Sequence, residues 1–410
     1  MDTTTTTVPC GQDHQDQERL TSPSRLVLQA AAALAMSMGI GRFAYTPILP
    51  LMHAQAGLSA KEGSALAIAN CVGYLVGAIL TTFIPGLVRS RHALRAGFVV
   101  LIASVALMAA TESQTAWLTL RLAAGIASAV VFIIAASAML TRLRQHAQHL
   151  AGWGFGGVGA GIALSGGIAA IASTVGTWRT AWLISAAAAL ALTIVAWSLQ
   201  PVPTSAPEPL PKQDGIAAPH RSFAMLSVSY TLEGVGYIIA GTFLVAAINQ
   251  SSPDWVGNSA WVLVGLSAFL GPAIWASLSR RWTAPTLLLV ALIMQAAGIA
   301  LPALAGGVLT GLASAVLFGA TFLGVAAIVL ALGARFRYPQ AVALLTAGYS
   351  SGQVLGPLIV TPLLHDGYRV ALLAGAAIVF AAAVAALGLR SSLPSNGLAR
   401  TSGTRSRVIS

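Results

Sequence analysis

Residues 26–53 read LVLQAAAALAMSMGIGRFAYTPILPLMH, with a single fixed charge at Arg42. The stretch is longer than the roughly 20 residues a helix needs to cross about 30 Å of hydrocarbon. A surface helix of a soluble protein carries polar residues along one whole face, and this one does not. In lipid each backbone N–H and C=O must be satisfied inside its own segment, so the stretch is predicted to be a membrane-crossing helix.

Eleven more segments read the same way, at approximately 63–88, 94–112, 115–141, 150–174, 179–198, 222–249, 257–278, 284–303, 306–332, 340–364 and 369–389. The totals agree. Of 410 residues 56% are hydrophobic and 8% charged, against about 25% charged in a soluble domain. A large soluble core is excluded, and a barrel would show short alternating strands instead. The expected fold is all-α, with twelve transmembrane helices.

The net charge is +11. High basicity can point to nucleic acid, but here the basic residues sit in short loops between apolar spans, so no nucleic-acid partner is expected. With the N-terminus in the cytoplasm, seventeen of the 22 Lys and Arg residues fall on the cytoplasmic side and three on the other. That asymmetry places both termini in the cytoplasm, which requires an even number of spans.

The longest internal connection contains PVPTSAPEPLPK (Pro201–Lys212). It is too Pro-rich for a stable helix and reads as an extended tether. The expected organisation is a disordered cytoplasmic tail at 1–25, a six-helix bundle at 26–198, a linker at 199–221, a second six-helix bundle at 222–390 and a cytoplasmic tail at 391–410. The halves resemble one another. GIASAVVF (Gly125–Phe132) matches GLASAVLF (Gly311–Phe318), GIG (Gly39–Gly41) matches GVG (Gly234–Gly236), and Gly157 and Gly161 match Gly352 and Gly356. Two parallel repeats place a solute site between them near the midplane.

Within the spans the clear ionisable groups are Arg42, Arg121 and Glu233. Charge inside a bilayer is expensive, so such residues face a protein interior or a wet cavity. Arg42 lies among Gly39, Gly41, Pro47 and Pro50. It either holds a carboxylate or phosphate in two-pronged fashion or bonds carbonyls freed beside the proline kink. Glu233 lies about eleven residues into its span, near the level assigned to the Arg42 motif. It is either a proton carrier or the permanent partner of Arg42 in an ion pair that ties the halves together. Arg121 either snorkels to the nearby interface or faces the cavity and adjusts an acid there. Tyr45, Asn70, Tyr74, Tyr237, Tyr349 and Gln353 are candidates to touch solute, each with packing against helix backbone as its alternative. The glycine run at Gly154–Gly167 reads as a helix-packing surface or, more sharply, a hinge. It has no preceding strand and no P-loop lysine, so it is no nucleotide loop. The seven histidines and two cysteines form no metal-ligand pattern, and no hydrolase arrangement occurs. Neither an enzyme nor a cofactor is expected.

GIGRFAYTPILPLM (Gly39–Met52) resembles the YbfB/YjiJ-type branch of the major facilitator superfamily, and the resemblance extends over about residues 26–390. It implies two pseudo-symmetric six-helix bundles rocking around a central site, and a monomer. RLAAGIASA (Arg121–Ala129) is similar to the superfamily's helix 4 motif, which implies a proton-coupling role for Arg121. The fifth span resembles the antiporter motif at Gly157, Gly161 and Gly166 but has Ile162 in place of Pro and Ser165 in place of Gly. GLVRSRHALR (Gly86–Arg95) has the glycine and basic residues of the cytoplasmic loop motif without its Asp.

These readings combine into a proton-coupled secondary transporter of a small organic solute in the bacterial inner membrane, working by alternating access. An anion is favoured by Arg42, and export by the partial fifth-span motif. Arg42, Tyr45, Asn70, Tyr237, Tyr349 and Gln353 are expected to bind solute, and Glu233 and Arg121 to couple protons, with Arg42 and Glu233 lining one chamber. The alternative is a non-transporting membrane sensor with the same cavity, which would need a cytoplasmic output element. A channel would need a continuous polar pore.

Overall fold

The computed structural model of the protein describes residues 22–143, 149–202, 220–336 and 341–392. The tail at 1–21, most of the Pro-rich linker and the C-terminal tail lie outside the described residues. Twelve helices are long and apolar enough to cross a membrane. They are α1 (Pro23–Ala56), α2 (Ala60–Phe83), α3 (Arg91–Ala110), α4 (Gln114–Arg142), α5 (Leu150–Val175), α6 (Trp178–Ala196), α7 (His220–Asn249), α8 (Trp255–Leu278), α9 (Ala284–Leu304), α10 (Val308–Arg335), α11 (Ala341–His365) and α12 (Tyr368–Arg390). There is no strand among the described residues. Large apolar side chains such as Phe83, Val175, Ile194 and Leu309 point outward, as a lipid-facing surface requires.

Short polar signals start several helices. Ser59 and Glu62 form a reciprocal capping box at the head of α2, and Ser90 and Ser113 cap α3 and α4 through side-chain oxygens. Each satisfies a backbone donor that the first turn leaves free.

The interior of α1 is irregular. The N–H of Gly41 reaches the Met36 carbonyl at 2.9 Å and that of Phe43 reaches Met38 at 3.1 Å, a widened turn five residues deep. Pro47 has no N–H to offer the Phe43 carbonyl. The N–H of Thr46 takes that acceptor instead, at 3.2 Å, and leaves the Arg42 carbonyl without its usual helical donor.

Small residues set the helix contacts. A methyl group on Gly157 or Gly161 of α5 would collide with the backbone of Ala31 or Ala35 of α1. On another face of α5, one on Gly159 or Gly166 would collide with the backbone of α8 at Gly265 or Val262. Helix α5 is thus pressed between α1 and α8 by bare backbone on two sides. Its contact with α8 runs from Trp153 on Phe269, with ring centroids 5.3 Å apart, to the Asn258 amide donating to the Ser173 hydroxyl at 3.3 Å.

The same contacts give the true register of the internal repeat. Gly125 of α4 faces the Asn70 carbonyl of α2, and Gly319 of α10 faces the Val264 carbonyl of α8. Gly77 faces the Ile126 carbonyl, and Gly271 the Ala320 carbonyl. Each member of the second pair stands 194 residues after its counterpart. The GIASAVVF and GLASAVLF strings are 186 residues apart, so that match is about two turns out of register. Gly352 and Gly356 do correspond to Gly157 and Gly161, because they pack on Thr231 and Val235 of α7 as the earlier pair packs on Ala31 and Ala35 of α1. That places α7 at 200 residues after α1, not the 195 of the GIG and GVG match.

At one end of the molecule the halves meet. The Thr46 hydroxyl of α1 donates to the Gly241 carbonyl of α7. The Ser64 hydroxyl of α2 lies 2.6 Å from that of Thr361 in α11, and the Tyr368 hydroxyl of α12 bonds His53 Nε2. At the other end the first part of α1, Pro23–Leu34, packs on α4, α5 and α6, while α7 packs on the later part, Tyr45–Ala56.

Candidate functional site

The centre of the molecule is built on the irregular turn of α1. Arg42 and Arg121 are 4% and 2% exposed and line one cavity of about 20 Å³ with Phe43, Tyr45, Thr46, Ala67, Asn70, Cys71, Ile238, Gly241 and Thr242. Arg42 donates through one terminal nitrogen to Gln353 Oε1 of α11, and the same nitrogen lies 3.7 Å from the Cys71 sulfur. Its guanidinium carbon stands 4.5 Å from the Tyr74 ring centroid and 5.5 Å from that of Phe43.

Arg121 does not snorkel. Its terminal nitrogens donate to the Gly41 and Arg42 carbonyls at 3.2 and 3.1 Å, and its guanidinium lies 4.8 Å over Tyr45. One of these acceptors is the carbonyl freed by Pro47. Bonding of freed carbonyls, considered above for Arg42, is therefore what Arg121 does. Asn70 fixes the other end of this link by donating to the Arg121 carbonyl at 3.1 Å, and the Tyr45 hydroxyl donates to the Gly63 carbonyl at 2.8 Å.

Tyr237 and Tyr349 stand in an aromatic column beside the cavity. Tyr349 stacks on Tyr230 with centroids 4.4 Å apart and on Tyr237 at 5.7 Å, and Tyr237 stacks in turn on Phe322 at 5.6 Å. Gln353 joins this column to Arg42 from α11.

Glu233 stands apart. It is fully buried and accepts from the Gln295 side-chain amide of α9 at 3.0 Å. It forms no ion pair with Arg42 and does not line the cavity. The expectation that the two share one chamber is corrected in this structure, and the reason is the register. With α7 set 200 residues after α1, Glu233 matches Ala33 and lies eight to nine residues, about 12 Å, from the level of Arg42. The second oxygen of Glu233 and Oε1 of Gln295 are both buried without a hydrogen-bond partner. A carboxylic acid O–H donating to an amide oxygen would satisfy both at once.

A family model described as "Uncharacterised MFS-type transporter YbfB" matches residues 34–387. The chain belongs to this YbfB-type family of the major facilitator superfamily. It is a multi-pass membrane transporter and not an enzyme. Among solved structures, a crystal structure of a point mutant of the nucleoside transporter NupG superposes with a TM-score of 0.64 at 13% identity, over 89% of this chain and 99% of that one. That likeness shows the major facilitator fold alone. A comparison with curated proteins gives no match.

In this YbfB-type transporter, then, Arg42, Tyr45, Asn70 and Arg121 meet at one cavity, with Gln353, Tyr237 and Tyr349 beside it and Glu233 elsewhere. Sequence reasoning missed Gln295, Thr46, Thr242 and the cavity role of Cys71. Gln295 had a signal: it is the lone strongly polar side chain of the very apolar α9.

The energetics of the cavity are uneven. Burying an ion costs several kcal/mol even after relaxation, whereas a desolvated ring under a cation returns about 2 kcal/mol. Hydrogen bonds to charged groups return about 1.5–3 kcal/mol each. Arg121 has two such bonds to carbonyls, while Arg42 has one strong acceptor, Gln353. Nε of each arginine is buried without a partner.

Proposed function

We propose that the protein is a proton-coupled secondary carrier that moves a small organic solute, with an anion favoured over a cation, across the bacterial inner membrane by alternating access, and that export is favoured over import. The observation that carries this reading is a buried guanidinium, Arg42, reaching from the first half to Gln353 of the second and making no ion pair among the described residues. A cation at the seam of two moving halves holds a solute in a way a lipid-facing charge cannot. The basic loops put both termini in the cytoplasm. In that orientation the end where Ser64 meets Thr361, closed in this state, is the periplasmic one.

Glu233 carries the proton in this reading. In the state described it is protonated and held by Gln295, which accounts for both unpartnered oxygens. Loss of the proton removes the O–H···O bond to Gln295, leaves the amide's own donation in place, and puts a charge within electrostatic reach of Tyr237 and Tyr349, which also feel Arg42. The two protonation states thereby favour different arrangements of the halves, which is what coupling requires. The test is flux into vesicles reconstituted with the full chain. Glu233→Gln, whose amide still pairs with Gln295, is expected to abolish solute accumulation driven by a pH gradient while sparing solute exchange. Undiminished gradient-driven accumulation in that variant rules the assignment out.

A further inference from the structure

We infer that the cavity between Arg42 and Arg121 is a binding site for one small anionic group: a halide ion, or the carboxylate terminus of the transported solute. The inference rests on the reading of Arg42 as part of the solute site and adds Arg121 as the second cation of that site. The superfamily resemblance implies a different, proton-coupling role for Arg121.

Three observations lead to it. The first is charge. Two guanidinium groups, both more than nine-tenths buried, line the same cavity, and neither makes an ion pair among the described residues. Glu233, the buried acid among the described residues, faces Gln295 instead.

The second is the count of donors against acceptors. Each guanidinium has five N–H groups. Arg42 uses one nitrogen, on Gln353 and Cys71, and Arg121 uses two, on the Gly41 and Arg42 carbonyls. Both Nε atoms are buried and unpartnered. The polar walls do not make up the deficit. Thr46 and Thr242 donate to the Gly241 and Ile238 carbonyls, and the Asn70 amide donates to the Arg121 carbonyl. The hydroxyl lone pairs and the Asn70 amide oxygen are neutral acceptors, so what the walls lack is an acceptor with negative charge.

The third is size. A cavity of about 20 Å³ exceeds the roughly 10–15 Å³ that a single water requires and does not reach several waters. It admits one chloride-sized particle or the two oxygens of a carboxylate. A water would fill the space and accept hydrogen bonds but would leave both charges uncompensated. A carboxylate seated here would have the body of its solute extend past Arg42 toward Tyr237 and Tyr349.

The experiment is thermal unfolding of the purified full chain in detergent, started in sodium methanesulfonate, which carries no carboxylate, and titrated with sodium chloride, bromide, iodide or acetate at constant ionic strength. A ligand that binds the folded state alone raises the unfolding temperature by mass action. The expected result is a saturable rise of about 2–5 °C, graded by size among the halides, that is lost in Arg42→Gln and in Arg121→Gln and kept in Arg369→Gln, whose side chain lies outside the cavity. A response to chloride identifies a free ion. A response to acetate alone identifies the solute's own head group. The inference is overturned if wild-type protein shows no saturable response to any of these anions, or if both arginine variants respond as wild type does. Should the arginine variants not fold, the wild-type series still decides, because an unsaturating response without size dependence also overturns it. The assay has no membrane and no gradient, so it is separate from the carrier reading. Gradient-driven flux without an anion response leaves a carrier lacking this site, and an anion response without flux leaves the site and removes the carrier.

Discussion

Arg42 and Arg121 are both buried arginines, yet backbone chemistry separates their roles. Pro47 withholds one N–H, Thr46 shifts its own by one residue, and the Arg42 carbonyl becomes an acceptor that Arg121 takes. Arg121 is thereby tied to backbone, and Arg42 is left to Gln353. This ordering predicts the outcome of Gln353→Glu. A carboxylate at that position would face Arg42 at hydrogen-bond distance and form a buried ion pair. Solute affinity is expected to fall tenfold or more, because the cation is then occupied from within. Thermal stability is expected to rise, because a charge now compensated no longer burdens the fold. A competition binding assay and an unfolding scan on one preparation check both parts. At this scale the sequence identified Arg42, Arg121 and Glu233 as the unusual residues, since a charge in an apolar span is conspicuous. It did not show which arginine bonds backbone, because that depends on the path of a turn only five residues deep.

Helix α5 shows what an element can disclose. Its glycines were legible as a packing surface, but the assignment of Gly157 and Gly161 to α1, and of Gly159 and Gly166 to α8, needs the angular positions of both neighbours. The pair of variants Gly161→Ala and Gly167→Ala separates packing from helix propensity. A methyl on Gly161 meets the Ala35 backbone, which cannot move aside, whereas one on Gly167 meets nothing within 4 Å. Overpacking of this kind costs about 1–3 kcal/mol, while removing a helix glycine in open space returns up to about 1 kcal/mol. Gly161→Ala is expected to lower the unfolding temperature and Gly167→Ala to hold or raise it. Equal behaviour of the two would remove the backbone seam from the account. The twelve spans themselves were readable within a few residues, because lipid demands a contiguous apolar run whatever its neighbours do. Register between the halves was not. The strings GIASAVVF and GLASAVLF look alike because helices of Gly, Ala, Ser and Val draw on a small alphabet, and the five-residue slip between α1 and α7 displaced Glu233 from the level first assigned to it.

For the whole molecule the closed end is the informative one. Ser64 and Thr361 touch across the halves at 2.6 Å, and cysteines placed there are close enough for a disulfide. In a Cys10→Ser background, the double variant Ser64→Cys with Thr361→Cys is expected to cross-link readily and to lose at least nine-tenths of its transport, with recovery on reduction. Cross-linked protein that still transports would show that this end does not need to open.

The seam between α5 and α8 meets no such requirement. It runs from Trp153 to Ser173, roughly 30 Å along the helix, and much of it is main chain against main chain. Between the Trp153–Phe269 and Asn258–Ser173 contacts at its two ends, glycine backbone meets backbone, so under the proposed alternating access this seam is the place suited to act as an axle. The pair α2 and α11, which touch across the halves, would then be the arms that swing about it. A small rotation about that axle is then enough to part Ser64 from Thr361, which lie off it.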